Sequence, residues 1–464
     1  MGQETRILWW QRLGQSRITL AFILAAVLCG VGIQYVLKSG EGRSAFTRWR
    51  NQIQELARGE DVYLRHNYPN APMMGLILYP LSELPRLDVG GFTLDCGALA
   101  WFLVKVGLTV LAVGWCVQLV QDEGKPFPFW AQAAMLLFTL RPIIGDLSHG
   151  NVNLLILFLV IATLTAFRRG WDLLAGLTLA LAITCKVTPA LFVPYFLWKG
   201  GYALAQGAWD QARSAGKVVL GCLLGLVLFF GVIPGSILGL ERTVALTESW
   251  VRTMILPFTV QGVVTTEHNN QSLPGLIYRL GTYSPSFLDE DDQPVAYHNI
   301  VSLDPGVARA VVKVLGIGFL VLMCWRGRTP TQPRGRWNLA AEYSIIVLGM
   351  LLFSERTWKH HCVTLLLPFG VLCYYAATAE LTRRKQIFLW LSMGLACLLM
   401  ATTSTSLWEM LGGFRMGAKL AQAYGAYVGA ELLLLGAIVA CLRMPAHVVA
   451  APVGYAAHSA AKAA

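Results

Sequence analysis

Several stretches of this chain are apolar for the whole distance needed to cross a bilayer, and this constrains its fold more than any other feature. Residues 19–37, 98–120 and 218–238 each come close to the ~20 apolar residues that span a ~30 Å hydrocarbon core. Backbone groups in lipid must bond internally, which leaves helices or closed barrels. These runs are continuous and lack the alternation of a barrel strand, so the spans are helical. Composition agrees, with 55% of the 464 residues hydrophobic, 14% charged, and a mean hydropathy of +0.55. A soluble domain is only about 45–50% apolar.

Further spans are expected at about 130–145, 152–167, 307–325, 339–353, 362–379, 387–402 and 424–442. The apolar segment 173–198 is interrupted by Lys186, Thr188 and Pro189 and again by Pro194. Proline removes a donor and disfavours helix before it, so two half-helices that dip in and return are expected there. The result is an all-α polytopic membrane protein of about eleven spans, with short re-entrant or interfacial helices such as 73–81. It reads as one transmembrane domain over 1–445, with outer loops at about 38–72 and 241–305 and a disordered cytoplasmic tail at 446–464. Arg6, Arg12 and Arg17 precede an apolar run longer than a signal-peptide core, so the first span is expected to be uncleaved.

The net charge of +11 does not point to nucleic acid, because the basic residues sit in short loops between spans. There they orient the chain. If the broken segment is re-entrant, Arg168, Arg169, the 326–336 loop, Arg383, Arg384, Lys385 and Arg443 share one side with the N-terminus, the cytoplasmic one. Asp61, His149, the 241–304 stretch and the turn 354–361 then face outward, and so do six of the eight His. The ten Cys lie almost wholly in apolar runs without a C-x-x-C pair, which suits packing residues and neither a disulfide framework nor a zinc site.

Four polar clusters could carry chemistry. Glu60, Asp61, Tyr63, Arg65, His66 and Tyr68 crowd the first outer loop; a carboxylate there either caps a helix or serves as a general base. Arg141, His149 and Asn153 form a second cluster, and Lys186 inside an apolar segment must snorkel, pair or bind an anion. Half-helix ends beside Lys186 could add to an anion site. His268, Asn270 and Gln271 belong to a third group suited to sugar hydroxyls or to a plain polar loop. Trp358, Lys359, His360 and His361 form the fourth, either an interfacial anchor with headgroup-binding cations or part of a site. H-E-x-x-H, Walker A, G-x-S-x-G and G-x-G-x-x-G patterns are absent from the sequence, which argues against nucleotide binding and serine hydrolysis.

Together these clusters resemble the C-type glycosyltransferases, specifically glycosyltransferase family 87. Asp61-Val62-Tyr63 followed by Tyr68-Pro69 and Pro72 looks like that family's catalytic loop. Gly150-Asn151-Val152-Asn153-Leu154-Leu155, Arg168-Arg169-Gly170, Ala175-Gly176 and Lys186-Val187-Thr188-Pro189 are similar to its most recognisable block. Asn270-Gln271-Ser272-Leu273 and Trp358-Lys359-His360-His361 resemble its later elements. The likeness runs from about 61 to 368. Asn151 stands where the family commonly has Gln, and the acidic insert 289–292 has no counterpart.

The resemblance implies the C-type fold and an inverting transfer of mannose or a related sugar from a polyprenyl-phosphate donor to a glycolipid or glycan acceptor. Asp61 would be the base. Tyr63, Arg65, His66, Arg141, His149, Asn153, Lys186, His268, Asn270, Gln271, Lys359 and His360 are the candidates for binding the donor phosphate or substrate. No metal or cofactor is called for, since fixed cations can stabilise the leaving phosphate. The expected setting is a bacterial plasma membrane with the site outside. A transporter or lipid flippase, or a membrane O-acyltransferase using His149 or His360, are the competing readings.

Overall fold

The computed structural model of the chain describes residues 17–443 except Asn67, Glu290, Asp292, Gln332, Pro333, Gly335, Arg336 and Arg415. The expectations for Arg6, Arg12 and the 446–464 tail lie outside the described residues. What is described is a multi-pass helical bundle with two small antiparallel hairpins, Arg86–Val89 with Phe92–Asp95 and Pro285–Leu288 with Pro294–Tyr297. Around its periphery, helices such as Ile18–Gly40 and Pro305–Arg326 turn Phe22, Ile33, Val314 and Val321 outward. In water such a surface would be costly; in lipid it is the solvated face. The Trp337–Leu352 helix is apolar all round and buried along its length, as such a helix must be.

Among the described residues six helices are long and apolar enough to cross a membrane: Ile18–Gly40, Cys96–Val120, Trp209–Leu238, Pro305–Arg326, Lys359–Thr378 and Arg383–Thr402. The pair Met416–Ala423 and Ala426–Leu442, bent by 50°, makes a seventh if counted as one span. Pro72–Ser82, Asn153–Arg168, Asp172–Cys185 and Trp337–Leu352 are apolar but shorter. The other spans expected from the sequence fall on helices that length and composition alone do not count as spans. An apolar run of 14 to 16 residues can end inside the bundle, where neighbouring helices and not lipid receive its polar ends.

The 38–72 stretch is not the plain loop expected. Ser44 caps a helix, Ala45–Ala57, by accepting the Thr47 N–H at 3.2 Å. That helix is amphipathic and lays Phe46, Ile53 and Leu56 inward, with Leu56 against Gly75 of the Pro72–Ser82 helix. The 241–304 stretch is likewise structured. It opens with the helix Leu240–Trp250, entered through Gly239 at φ 86° and ψ 149°, a backbone conformation essentially reserved for glycine. A second helix, Leu273–Gly281, and the Pro285–Tyr297 hairpin complete it. The Leu240–Trp250 helix packs on Val62–His66, bringing Arg242 against Gly59.

The broken segment is two half-helices, Asp172–Cys185 and Phe192–Ala205, joined through a 3-10 turn at Thr188–Leu191. Pro194 makes no second break, because it falls in the first turn of the second half, where a missing N–H costs nothing. The segment starts and finishes at the same end of the bundle. There Arg334 spans Asp172 and Ser214, Lys199 pairs with Glu342 at 2.7 Å, and Gln211 accepts from the Thr331 N–H at 2.9 Å.

The first half-helix crosses Trp209–Val227 at very close range through Gly176, Gly221 and Gly225. A Cβ on Gly176 would strike the Val218 carbonyl, and one on Gly221 the Leu173 carbonyl. Small residues permit this approach in membranes. Gly221→Val should therefore cost about 3 kcal/mol, the upper end of overpacking, because the obstruction is backbone. Thermal unfolding of the purified variant in detergent would show the loss, and an unchanged midpoint would mean the helices can separate freely.

Candidate active site

Asp61 starts the short helix Val62–His66. Its Oδ1 accepts the N–H groups of Tyr63 and Leu64 at 3.0 and 3.2 Å, so it caps the helix as one sequence reading allowed. Oδ2 takes no part in that cap and remains available. Its neighbours are otherwise engaged. Arg65 donates to Glu60 at 2.7 Å, Arg58 to the same carboxylate at 3.1 Å, and His66 meets Glu55 at 2.7 Å. Hydrogen bonds from Arg58 and Arg65 hold the Glu60 carboxyl below its usual range. Arg65 and His66, expected to hold the donor phosphate or substrate, thus sit on the surface already partnered by glutamates. The Tyr63 hydroxyl is buried on the Asn70 carbonyl at 3.1 Å, and burial pushes its phenol pKa up. Tyr63 packs near Tyr68, which is fully buried against the edge of Trp49.

At the break between the half-helices, Lys186 ends Asp172–Cys185 in extended backbone and donates from Nζ to Asn153 Oδ1 at 2.7 Å. The Asn153 amide donates onward to Asp146 Oδ2 at 2.9 Å, and Asp146 Oδ1 lies 3.2 Å from Lys105 Nζ. Lys186, Asn153, Thr188, Ser354, Thr357 and His361 line one small cavity. The helix end at Lys186 is a C-terminus, whose dipole favours the ammonium, and the next turn opens two residues on, at Thr188.

His149 and His360 stack at 4.7 Å beside this chain. The Asn151 amide oxygen accepts from the Val152 N–H at 2.7 Å, which turns its NH₂ toward His360 Nε2 at 3.0 Å. Nε2 is then an acceptor and Nδ1 carries the proton. Further along, Arg141 donates to the Thr403 hydroxyl at 3.3 Å and Lys359 to the Thr403 carbonyl at 3.3 Å, which puts two cations side by side. Among the described residues none of Arg141, Lys186 and Lys359 pairs with a carboxylate. Arg141 Nε, His149 Nε2 and Trp358 Nε1 are buried without a hydrogen-bond partner. Buried polar atoms usually have a partner, so these three remain open to one. Among the described residues no group of three or more His, Cys, Asp or Glu side chains could hold a metal ion.

The third cluster has a different task. Asn270 and Gln271 are fully buried, and backbone groups use up their amides. Asn270 Nδ2 donates to the Thr265 and Glu355 carbonyls while Oδ1 accepts from Ser272 and Thr357; Gln271 Nε2 donates to the His268 and Gln422 carbonyls and Oε1 accepts from Tyr427. They brace these loops, and their amides are already engaged by backbone groups. Arg279, also fully buried, donates to the carbonyls of Thr266, Glu267, Asn270, Gln422 and Ala423. His268 stacks on Phe287 at 4.5 Å, and burial together with nearby Lys419 lowers its pKa to about 4. At neutral pH it is no phosphate-binding cation.

Lys105 was not among the sequence candidates, and Asp146 was read only as part of a turn, although it belongs to the last turn of the helix Phe129–His149. Glu431, buried with Oε1 on the Cys362 thiol at 3.5 Å, was also missed. The signal that singled out Lys186, one ionisable residue within an apolar run, applies equally to Lys105 and Glu431.

The chain matches the profile of glycosyltransferase family 87 over residues 68–355. Asp61, Lys359 and His360 fall just outside that interval. It is 28% identical over 294 residues to the polyprenol-phosphate-mannose-dependent alpha-(1-2)-phosphatidylinositol mannoside mannosyltransferase of Mycolicibacterium smegmatis, over 61% of this chain and 58% of that protein. The pentamannoside mannosyltransferase of the same organism, likewise polyprenol-phosphate-mannose-dependent, is 24% identical over 307 residues, 66% of this chain and 60% of its own length. The match therefore spans less than two thirds of either relative. Among solved structures, ArnT from Cupriavidus metallidurans aligns over 91% of this chain and 78% of its own, at 13% identity and a TM-score of 0.41.

Arg279→Met should leave the Thr266 and Ala423 carbonyls without their side-chain donor and loosen these loops by about 3 kcal/mol, since each unsatisfied buried group costs roughly 1–3 kcal/mol. Limited proteolysis between residues 260 and 300 would reveal it as faster cleavage. Cleavage at the wild-type rate would mean that Arg279 is not the brace.

Proposed function

The chain belongs to glycosyltransferase family 87, and from that membership we propose that it moves mannose or a related sugar from a polyprenyl-phosphate donor to a glycolipid or glycan acceptor. The observation that carries this reading is Lys186, held at a break in a membrane segment, hydrogen-bonded to a neutral amide and facing a cavity without a carboxylate partner. A lipid phosphate is the kind of anion that reaches such a point from the bilayer. The relatives named above use polyprenol-phosphate-mannose according to their names, and this chain shares the family profile.

In the proposed reaction Asp61 Oδ2 takes the proton from an acceptor hydroxyl as that oxygen attacks the anomeric carbon from the face opposite the phosphate. The bond from the anomeric carbon to the phosphate oxygen breaks, and the configuration inverts. The charge gathering on the leaving lipid phosphate is met by Lys186, with Arg141 and Lys359 as a second pair of cations in the same region. Asn153 aims Lys186. His149 and His360 supply polar edges to the substrates; Nε2 of His360 is already held by Asn151, which weighs against a His-based acyl transfer. The bacterial plasma membrane, with the site on the extracytoplasmic side, is the proposed setting.

Asp61→Asn is a clean test because Asn caps a helix as well as Asp does, so Val62–His66 should survive the change. In vesicles given radiolabelled polyprenyl-phosphate mannose and a native lipid extract, transfer should fall about 10²–10⁴-fold, the usual contribution of a positioned base. Undiminished transfer would move the base elsewhere. A wild type that transfers from no polyprenyl-phosphate sugar would defeat the reading itself.

A further inference from the structure

We infer that the buried Lys105–Asp146 pair sets the charge of the donor-phosphate site, with Lys105 acting as a positioning residue through Asp146 and Asn153. This rests on the reading above, in which Lys186 meets a lipid phosphate.

The chain Lys105, Asp146, Asn153, Lys186 joins four helices by direct contacts. Lys105 comes from Cys96–Val120, Asp146 from Phe129–His149, Asn153 from Asn153–Arg168, and Lys186 from the end of Asp172–Cys185. Lys105 and Asp146 are fully buried, and Lys105 Nζ also takes the Asp146 carbonyl at 2.8 Å. The rings of Tyr35 and Trp101 lie 5.9 Å from the same ammonium and close the site to water. With Asp146 accepting its NH₂, the Asn153 amide can turn only its oxygen to Lys186.

The charges sum to one positive: Lys105 cancels Asp146, and Lys186 is left over. Without Lys105, the Asp146 carboxylate would be the nearest negative charge to Lys186, one amide away, and would neutralise it in place of the ligand. Sequence position gives no hint of this, since Lys105 and Lys186 lie on different helices. A helix staple alone would need neither the Asn153 bridge nor a second lysine.

The test measures binding to the full-length protein in detergent. Geranylgeranyl phosphate is the probe and geranylgeraniol the uncharged control, followed by tryptophan fluorescence. Wild type should prefer the phosphate. Lys105→Met should weaken phosphate binding about tenfold or more while leaving the alcohol unchanged, because only the charge balance has shifted. Lys105→Met with Asp146→Asn restores the single positive charge and should bind the phosphate within about threefold of wild type. Replacing a whole buried ion pair is well tolerated, whereas breaking one is not, so the double variant decides the matter if the single one does not fold. Phosphate binding unchanged in Lys105→Met, or lost in a folded double variant, would overturn the inference alone. A wild type that shows no preference for the phosphate would defeat the lipid-phosphate reading and this inference with it.

Discussion

A charge inside a membrane protein must find a partner within the protein, because lipid supplies none. The bundle meets this constraint with the chain from Lys105 to Lys186, in which Asp146 satisfies one lysine and an amide hands the other a hydrogen bond without a countercharge. The distinction matters. Lys199, by contrast, sits 2.7 Å from Glu342 and is spent on fastening the opposite end of the broken segment. The same residue type meets a carboxylate at one end and only a neutral amide at the other, and the second arrangement is the one the proposed anion site needs.

This division follows from how the segment 172–205 is broken. Its two halves both return to the end where Arg334, Asp172, Lys199 and Glu342 lock the helices together. Their meeting point is thereby carried to the far end of the half-helices, where Lys186 leaves helical backbone and Thr188 begins a new turn. Gly176 and Gly221 bring the first half against Trp209–Val227 closely enough to leave it little freedom. A rigid helix pair delivers the lysine, so its position is set by packing and not by loop geometry.

Much of this was legible in the sequence. The break at Lys186 and Pro189 was visible because proline and a lone cation interrupt an apolar run, and the family was visible in short motifs from Asp61 to His361. What the sequence could not show was which polar groups consume one another. Arg65 and His66 looked like phosphate ligands, but Glu60 and Glu55, five and eleven residues earlier, are their partners. Asn270 and Gln271 looked like sugar ligands, but their partners Glu355, Thr357, Gln422 and Tyr427 lie 85 to 156 residues away. Lys105 was overlooked for the same reason, since its partner is 41 residues distant. Hydropathy registers an apolar run without telling whether lipid or protein surrounds it, so it does not fix the number of spans.

Asp61 illustrates how one residue can satisfy two readings that the sequence kept apart. Capping uses one carboxylate oxygen and general-base chemistry needs the other, so the two roles do not compete. The cap also gives the proposed base a fixed direction, because a carboxylate holding two N–H groups cannot rotate freely. Tyr63 on the Asn70 carbonyl fastens the start of that short helix to the chain beyond it. In the proposed inverting transfer a fixed direction matters, since the attacking oxygen must approach the carbon from the face opposite the departing phosphate.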